Sequence, residues 1–155
     1  MLIAPAAPGD LAEIVALERE CYSDPWAESA FASLPGHPAV HFTVARDGDG
    51  PVTGFAVAWF VSDEGELANL AVRKAARRRG VGRALLDSVL AAATERGVRT
   101  LFLEVRESNH AARKLYGSRY FEEVGRRKRY YRSPEEDALI LRCTLERWPQ
   151  VVVDV

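Results

Sequence analysis

Glu66-Leu67-Ala68-Asn69-Leu70-Ala71-Val72, then Arg73-Lys74-Ala75-Ala76, then Arg77-Arg78-Arg79-Gly80-Val81-Gly82 is the stretch whose reading decides the fold. An apolar strand runs into a basic turn, and the turn opens a helix near Gly80. Three arginines and two glycines fall within six residues at that helix start. Glycines let backbone N–H groups approach an anion closely, and the positive end of the helix dipole favours negative charge there. Without an anion, four arginines (Arg77, Arg78, Arg79 and Arg83) would repel the dipole and one another, so the clustering points to a phosphate cradle. The bland alternative is a solvated basic helix start. The turn is too short for a P-loop and lacks its Lys-Ser/Thr pair. It also lacks the full glycine spacing of a dinucleotide fingerprint.

Outward from this turn, the next helix is the clearest in the chain. Val81, Leu85, Val89 and Ala92 make one stripe, Leu86 and Leu90 widen it, and Arg96-Gly97 stops it. Leu101–Val105 is short and apolar, a buried strand expected to lie parallel to the Glu66 strand through a crossover. A short helix over Asn109–Tyr116 and two strands, Glu122–Tyr131 and Ala138–Leu145, complete this side. Upstream, Val40, Phe42 and Val44 alternate with His41, Thr43 and Ala45. Asp47-Gly48-Asp49-Gly50 turns the chain into Val52–Val61, which makes a hairpin. Before it lie a first strand at Met1–Ala4, a helix from Asp10 to about Tyr22 with Asp10 placed to cap it, and a short helix over Trp26–Leu34. The order predicts a mixed α/β sheet with helices on both faces. One domain over residues 1–146 is expected, with a tail at 147–155 in which Trp148-Pro149 fits no element.

Composition sets the outer limits. A chain of 155 residues with 48% hydrophobic and 28% charged content is long enough for one substantial core. Its net charge of −1 argues against a nucleic-acid-coating protein; the arginines concentrate at Arg73–Arg83 and Arg126–Arg132, as local anion sites would. Cys21 and Cys143 are too few for a disulfide framework, and neither they nor His37, His41 and His110 show metal-ligand spacing. No run approaches the roughly 18 apolar residues of a membrane span, and the N-terminus has no signal-peptide pattern. A cytoplasmic protein without metal or membrane is the expectation.

With its strand order and its Arg77-x-x-Gly80-x-Gly82 turn, the chain resembles the GNAT superfamily of acetyl-CoA-dependent N-acetyltransferases. Within it, the chain is similar to the RimI type, the ribosomal-protein-alanine N-acetyltransferases. The matching pieces are Pro25-Trp26, Asn69-Leu70-Ala71-Val72, Arg79-Gly80-Val81-Gly82-Arg83-Ala84-Leu85-Leu86, and Leu103-Glu104-Val105-Arg106-x-Ser108-Asn109-x-x-Ala112-x-x-Leu115-Tyr116. Tyr130-Tyr131 and Glu136-Asp137-Ala138 extend them, so the resemblance spans nearly the whole chain. One departure is Tyr120, which stands where the family's usual Leu-Tyr-x-x-x-Gly-Phe has glycine, while Gly117 comes early. An earlier end to that helix would shift Tyr116.

The resemblance implies the GNAT (acyl-CoA N-acyltransferase) fold, about six to seven strands with about four helices, and acetyl-CoA as cosubstrate. Carried over by position, Leu70, Ala71 and Val72 would offer strand backbone to the pantetheine arm and the thioester carbonyl. Arg78, Arg79, Gly80, Val81, Gly82 and Arg83 would cradle the pyrophosphate, and Asn109 would contact the cofactor. Glu104 would be the general base that deprotonates the amine. Alternation puts it with Phe102 and Arg106 on one face, opposite Leu101, Leu103 and Val105; the residues alone allow a cross-strand ion pair with an arginine equally well. Tyr116 would return a proton to the departing thiolate, or it packs a helix on the sheet. Tyr130, Tyr131 and Trp26 would wall the acceptor tunnel, or they are core and edge packing.

The acceptor implied is the N-terminal amine of a protein, an alanine-starting small-subunit ribosomal protein. Physical chemistry agrees: an α-amine of pKa near 8 is roughly a tenth neutral at pH 7, a lysine under about one part in a thousand. The rival readings are a GNAT acting on lysine side chains or small amines, and a non-catalytic basic module that binds RNA or a ribosome. Net charge and the Glu104/Tyr116 pairing count against the last, and no direct nucleic-acid contact is expected.

Overall fold

The computed structural model describes residues 1–145, so the tail at 147–155, its boundary and Trp148-Pro149 lie outside the described residues. Seven strands form one sheet: β1 (Leu2–Pro5), β2 (Val40–Arg46), β3 (Val52–Val61), β4 (Glu64–Val72), β5 (Thr100–Arg106), β6 (Glu122–Tyr131) and β7 (Glu136–Thr144). Their spatial order is β1-β2-β3-β4-β5-β7-β6. Among the described residues only β4 and β5 pair in parallel, joined through helix α3 (Val81–Glu95); the other neighbours are antiparallel. The helices are α1 (Leu11–Cys21), α2 (Glu28–Ala32), α3 and α4 (His110–Gly117).

The sheet divides two cores. On one face α3 and α4 bury Leu85, Leu86, Val89 and Leu90 against Ala56, Leu101, Leu103 and Leu139. The α3 stripe follows the 3.6-residue period, and burying each of its leucines contributes roughly 2 kcal/mol. On the other face α1 and α2 press Ile14, Leu17 and Phe31 onto Phe42, Phe55 and Val57. Phe55 meets Phe31 edge to face at 5.7 Å. This second core covers the β2–β4 half. Over β5, β7 and β6 the same face carries Phe102, Glu104 and Arg106, each only half-buried, while Leu101, Leu103 and Val105 are buried beneath.

Several boundaries differ from expectation. Asp10 stands at the N-cap position of α1, but its side chain does not bond the helix; the carboxylate accepts from the Ala7 amide and pairs with Arg46, closing a 3-10 turn over Pro8–Asp10. The second helix is shorter than Trp26–Leu34, because the Trp26 amide is drawn to Glu18 and Ala27 is extended. β4 and β7 each begin two residues earlier than the sequence suggests, since the turns before them are tighter. Tyr120 does not shorten α4. It adopts φ 66°, taking the left-handed conformation that glycine would supply. The Phe121 amide then donates to Tyr116 O (3.2 Å) and the Tyr120 amide to Gly117 O (3.1 Å).

Candidate active site

The cofactor side is built where β4 and β5 part. Their register holds from Glu64↔Thr100 to Leu67↔Leu103 and then ends. Just there a bulge at Ala68 interrupts the β3–β4 ladder, which passes from Ala58↔Leu67 to Val57↔Asn69. Bulges bend a strand and re-aim the residues beyond them. Past this one, the Arg73 amide donates to Thr53 O (2.8 Å). Hydrogen-bonded pairs alternate along an antiparallel ladder, so Phe55↔Ala71 is bonded while Leu70 and Val72 turn their N–H and C=O away from β3 into the cleft. The expectation that Ala71 offers backbone to a ligand is therefore not met: its groups are engaged with β3 and its side chain is buried in the second core. The Leu70 carbonyl accepts from the Tyr22 hydroxyl (2.6 Å), and the Val72 carbonyl from Arg77 Nε (3.1 Å) and the Cys21 thiol (3.4 Å).

At the end of this cleft stands the start of α3. Gly80 is its N-cap with φ 82°, a conformation only glycine holds without strain, and Arg78 shares the left-handed region at φ 65°. The first bond of the helix runs from the Ala84 amide to Gly80 O (3.0 Å), so the amides of Val81, Gly82 and Arg83 point past the helix end. A Cβ on Gly82 would meet Val72 and Leu115 side chains at an ordinary 3.5 Å. No described residue requires glycine there, which fits a ligand running over it. Arg79 pairs with Asp47 (3.0 Å) and Arg77 is turned back onto Val72. Arg78 and Arg83 are exposed, and their side chains bond no other described residue. Asn109 caps α4, its side-chain oxygen accepting from the Ala112 amide (3.1 Å).

Glu104 is the first β5 residue beyond the last β4–β5 pair. Its carboxylate lies 3.2 Å from Arg127 Nε, the cross-strand ion pair that alternation allowed. Arg127 in turn lies over the Tyr130 ring. A groove of about 410 Å³ opens beside it, lined by Trp59, Glu66, Phe102, Glu104, Arg127 and Ile140 among others.

Three phenols continue from this carboxylate. Burial, then the Glu104 charge, pushes Tyr131 up to about 12. Burial raises Tyr116 well above the ordinary phenol value, with Tyr131 adding to it; Tyr22 is 37% exposed and its pKa is also raised, by desolvation where the hydroxyl meets Leu70 O and by Tyr116. Each charge is thus felt by the next group along, from Glu104 through Tyr131 and Tyr116 to Tyr22, while Tyr116 itself packs in the first core against Phe121. Trp26 instead packs on Phe31 (5.2 Å) at the margin of the second core.

Tyr22, Glu18, Arg106 and Arg127 also belong to this region, and sequence reasoning does not reach them as site residues. Glu18 has a signal, a carboxylate on an apolar helical stripe. It is 1% exposed and accepts from the Trp26 amide (2.8 Å) and Asn69 Nδ2 (2.7 Å). Burial raises its pKa, opposed by those two bonds. Tyr22 and Arg127 act through partners 48 and 23 residues away, as their numbering shows, and no local pattern marks them. Among the described residues, no three His, Cys, Asp or Glu side chains are placed to hold a metal ion, and no helix is long and apolar enough to cross a membrane.

Residues 11–121 match the acetyltransferase (GNAT) family. The chain belongs to the GNAT family. Among GNAT relatives it is 40% identical over 134 residues to the [ribosomal protein bS18]-alanine N-acetyltransferase of Escherichia coli K12, covering 85% of this chain and 89% of that one. The crystal structure of the ribosomal-protein-S18-alanine N-acetyltransferase from Escherichia coli superposes with a TM-score of 0.85 at 36% identity, covering 93% of each chain. That of Ard1 from Thermoplasma volcanium gives 0.84 at 25% identity, over 92% of this chain and 96% of that one. The GNAT fold, with seven strands and four helices, and an acetyl-CoA-dependent N-acetyltransferase activity follow for this chain.

Proposed function

We propose that this GNAT enzyme acetylates the N-terminal α-amine of a protein, an alanine-starting small-subunit ribosomal protein, with Glu104 as base and Tyr116 as acid. The observation that carries the reading is the place of Glu104. It is the first β5 residue past the point where β4 and β5 separate, on the half of its face that α1 and α2 leave open. A carboxylate there can reach an amine approaching from the open face while the acyl donor lies in the cleft. The activity named for the Escherichia coli relative supports the choice of acceptor.

Leu70 and Val72 backbone groups and the amides of Val81, Gly82 and Arg83 suit the pantetheine arm and the pyrophosphate of acetyl-CoA, with Arg78 and Arg83 adding charge. Acetyl-CoA supplies the thioester acyl group. Glu104 takes the proton that the amine loses as its lone pair is committed, directly or through one water. Tyr116, a phenol already protonated at neutral pH and raised further by burial, holds the proton that the leaving sulfur requires. That same burial makes the phenol a weaker acid, so it gives the proton only as charge develops on sulfur.

Two peptides test this with mass spectrometry, one with a free alanine N-terminus and no lysine, the other N-terminally blocked and containing lysine. The first alone should be acetylated, and Glu104→Gln should lower its rate about 100-fold or more, the scale of lost general-base catalysis. Acetylation of the lysine peptide alone would overturn the acceptor assignment, and a Glu104→Gln rate within a few-fold of wild type would remove Glu104 as base.

A further inference from the structure

We infer that Arg106 is a positioning residue that fixes both walls of the acceptor slot to β5 and thereby sets how tightly the acceptor is held. The inference rests on the N-terminal acceptor reading above. Arg106 lies two residues past Glu104 on the same strand and face, opposite Ala138 of β7. Its guanidinium is largely used up by the protein itself. One terminal nitrogen, Nη1, donates to Pro134 O (3.0 Å) and to Glu136 Oε1 (3.3 Å). The other, Nη2, donates to Arg132 O (3.0 Å) and to Ser23 Oγ (3.1 Å). The Tyr131 ring stacks beneath it, 4.4 Å from the guanidinium carbon.

These contacts join segments that are far apart in the sequence. Ser23 belongs to the connection between α1 and α2, next to Tyr22, whose hydroxyl reaches Leu70. Tyr131, Arg132, Pro134 and Glu136 form the end of the β6–β7 hairpin. Both segments meet at Arg106, two residues along β5 from Glu104 on the same face.

Only one of the four acceptors, Glu136, is charged. Charge neutralisation therefore explains little of the arrangement, and geometry explains most of it. A planar fork can donate in two directions while its face stacks on an aromatic ring; a lysine ammonium cannot do both. Glu136 is itself fixed from behind by the Ser108 amide, so the anchor is rigid. No contact of Arg106 touches Leu70, Val72 or the start of α3. Its loss should loosen the acceptor walls and leave the cofactor cleft as it is, and small displacements of positioning groups carry large kinetic costs.

The test compares wild type, Arg106→Lys, Arg106→Gln and Ser23→Ala with acetyl-CoA and alanine-starting or leucine-starting peptides. Both Arg106 variants should raise the KM for the alanine peptide about tenfold, the scale of losing hydrogen bonds to a charged group. They should narrow the preference between the two peptides and leave the acetyl-CoA Kd within about twofold, since no cofactor contact is lost. Ser23→Ala should move the same constants in the same direction by less. Hydrogen exchange gives a readout independent of turnover: in Arg106→Lys, residues 23–27 and 131–136 should lose protection together, with residues 70–72 and 80–85 unchanged. Joint loss with a changed acceptor KM supports the role. Equal changes in acetyl-CoA and acceptor constants, a fall in thermal stability alone, or exchange confined to one segment would overturn it. Failure of the wild type to acetylate either peptide would refute the N-terminal reading instead, and exchange would still decide whether Arg106 couples the two walls.

Discussion

At Tyr120 a bulky residue holds a backbone conformation suited to glycine. Its φ of 66° closes α4 with the paired bonds Phe121 to Tyr116 and Tyr120 to Gly117, and the rings of Phe121 and Tyr116 meet at 5.6 Å across that closure. The left-handed conformation costs a non-glycine residue about 1–2 kcal/mol, while Tyr120 is 44% exposed. Tyr120→Gly should therefore stabilise the protein by roughly 0.5–1 kcal/mol after the extra unfolded-state entropy of glycine is subtracted. The check is the urea midpoint, and a lower midpoint would show that the tyrosine ring contributes packing the backbone argument omits. Gly82 is the opposite case, a glycine the protein itself does not need. Gly82→Ala should preserve or raise stability by up to about 1 kcal/mol, because alanine is the better helix former. Its acetyl-CoA affinity, measured by calorimetry, should fall about tenfold or more, because the new methyl occupies space beside the amides of the helix start. Unchanged affinity would place the ligand elsewhere.

Elements are more legible in the sequence than their edges. The α3 stripe, the alternation in β2 and β5 and the parallel pairing of β5 with β4 follow from periodicities of 3.6 and 2 and from a crossover long enough to hold a helix. The alternation also places Glu104 on the open face correctly. It cannot show the bulge at Ala68, nor that Ala71 faces β3 while Leu70 and Val72 face the cleft. Those depend on which residue pairs exchange hydrogen bonds, a property of two strands rather than one. The Arg79–Asp47 and Arg127–Glu104 pairs are illegible for a similar reason, since each joins elements whose register only the fold sets. The β6–β7 hairpin carries an electrostatic consequence. Glu107 is held below the usual carboxylate range by Arg126, Glu136 by the Ser108 hydroxyl and amide and then Arg106, and Asp137 by the Arg129 amide and then Arg126. A folded-state pKa below the unfolded value means that the folded form releases protons more readily. Its stabilisation is present above the unfolded carboxyl range of about 4 and is lost as pH falls through the lower folded values. Hydrogen exchange corrected for intrinsic rates should show residues 126–138 opening more as pH falls below about 4, with α3 still protected. Glu18 works the other way: its raised pKa means acid relieves rather than costs stability there, so α1 should not lead the opening.

Across the whole molecule, the sheet is asymmetric in its cover, and that asymmetry makes the site. One face is roofed by α3 and α4 along its length, while α1 and α2 cover only the β2–β4 half of the other. The parting of β4 from β5 then leaves a cleft with Leu70, Val72 and the start of α3 on its first-core side and the Tyr22 hydroxyl reaching Leu70 O from the end of α1. A ligand spanning it should bind the native state alone and so stabilise the whole fold. At 100 times its Kd, acetyl-CoA should add about 2.7 kcal/mol, which for a chain of this size raises Tm by roughly 5–10 °C. The pattern of protection discriminates further. A fragment carrying the phosphates without the pantetheine arm, such as adenosine 3′,5′-bisphosphate, should slow exchange only near residues 78–84. Full acetyl-CoA should also slow the Leu70 and Val72 amides, which point into the cleft, and leave the Ala71 amide, already bonded to β3, unchanged. If both ligands gave the same pattern, the arm would not follow β4, and the cleft between the strands would need another occupant.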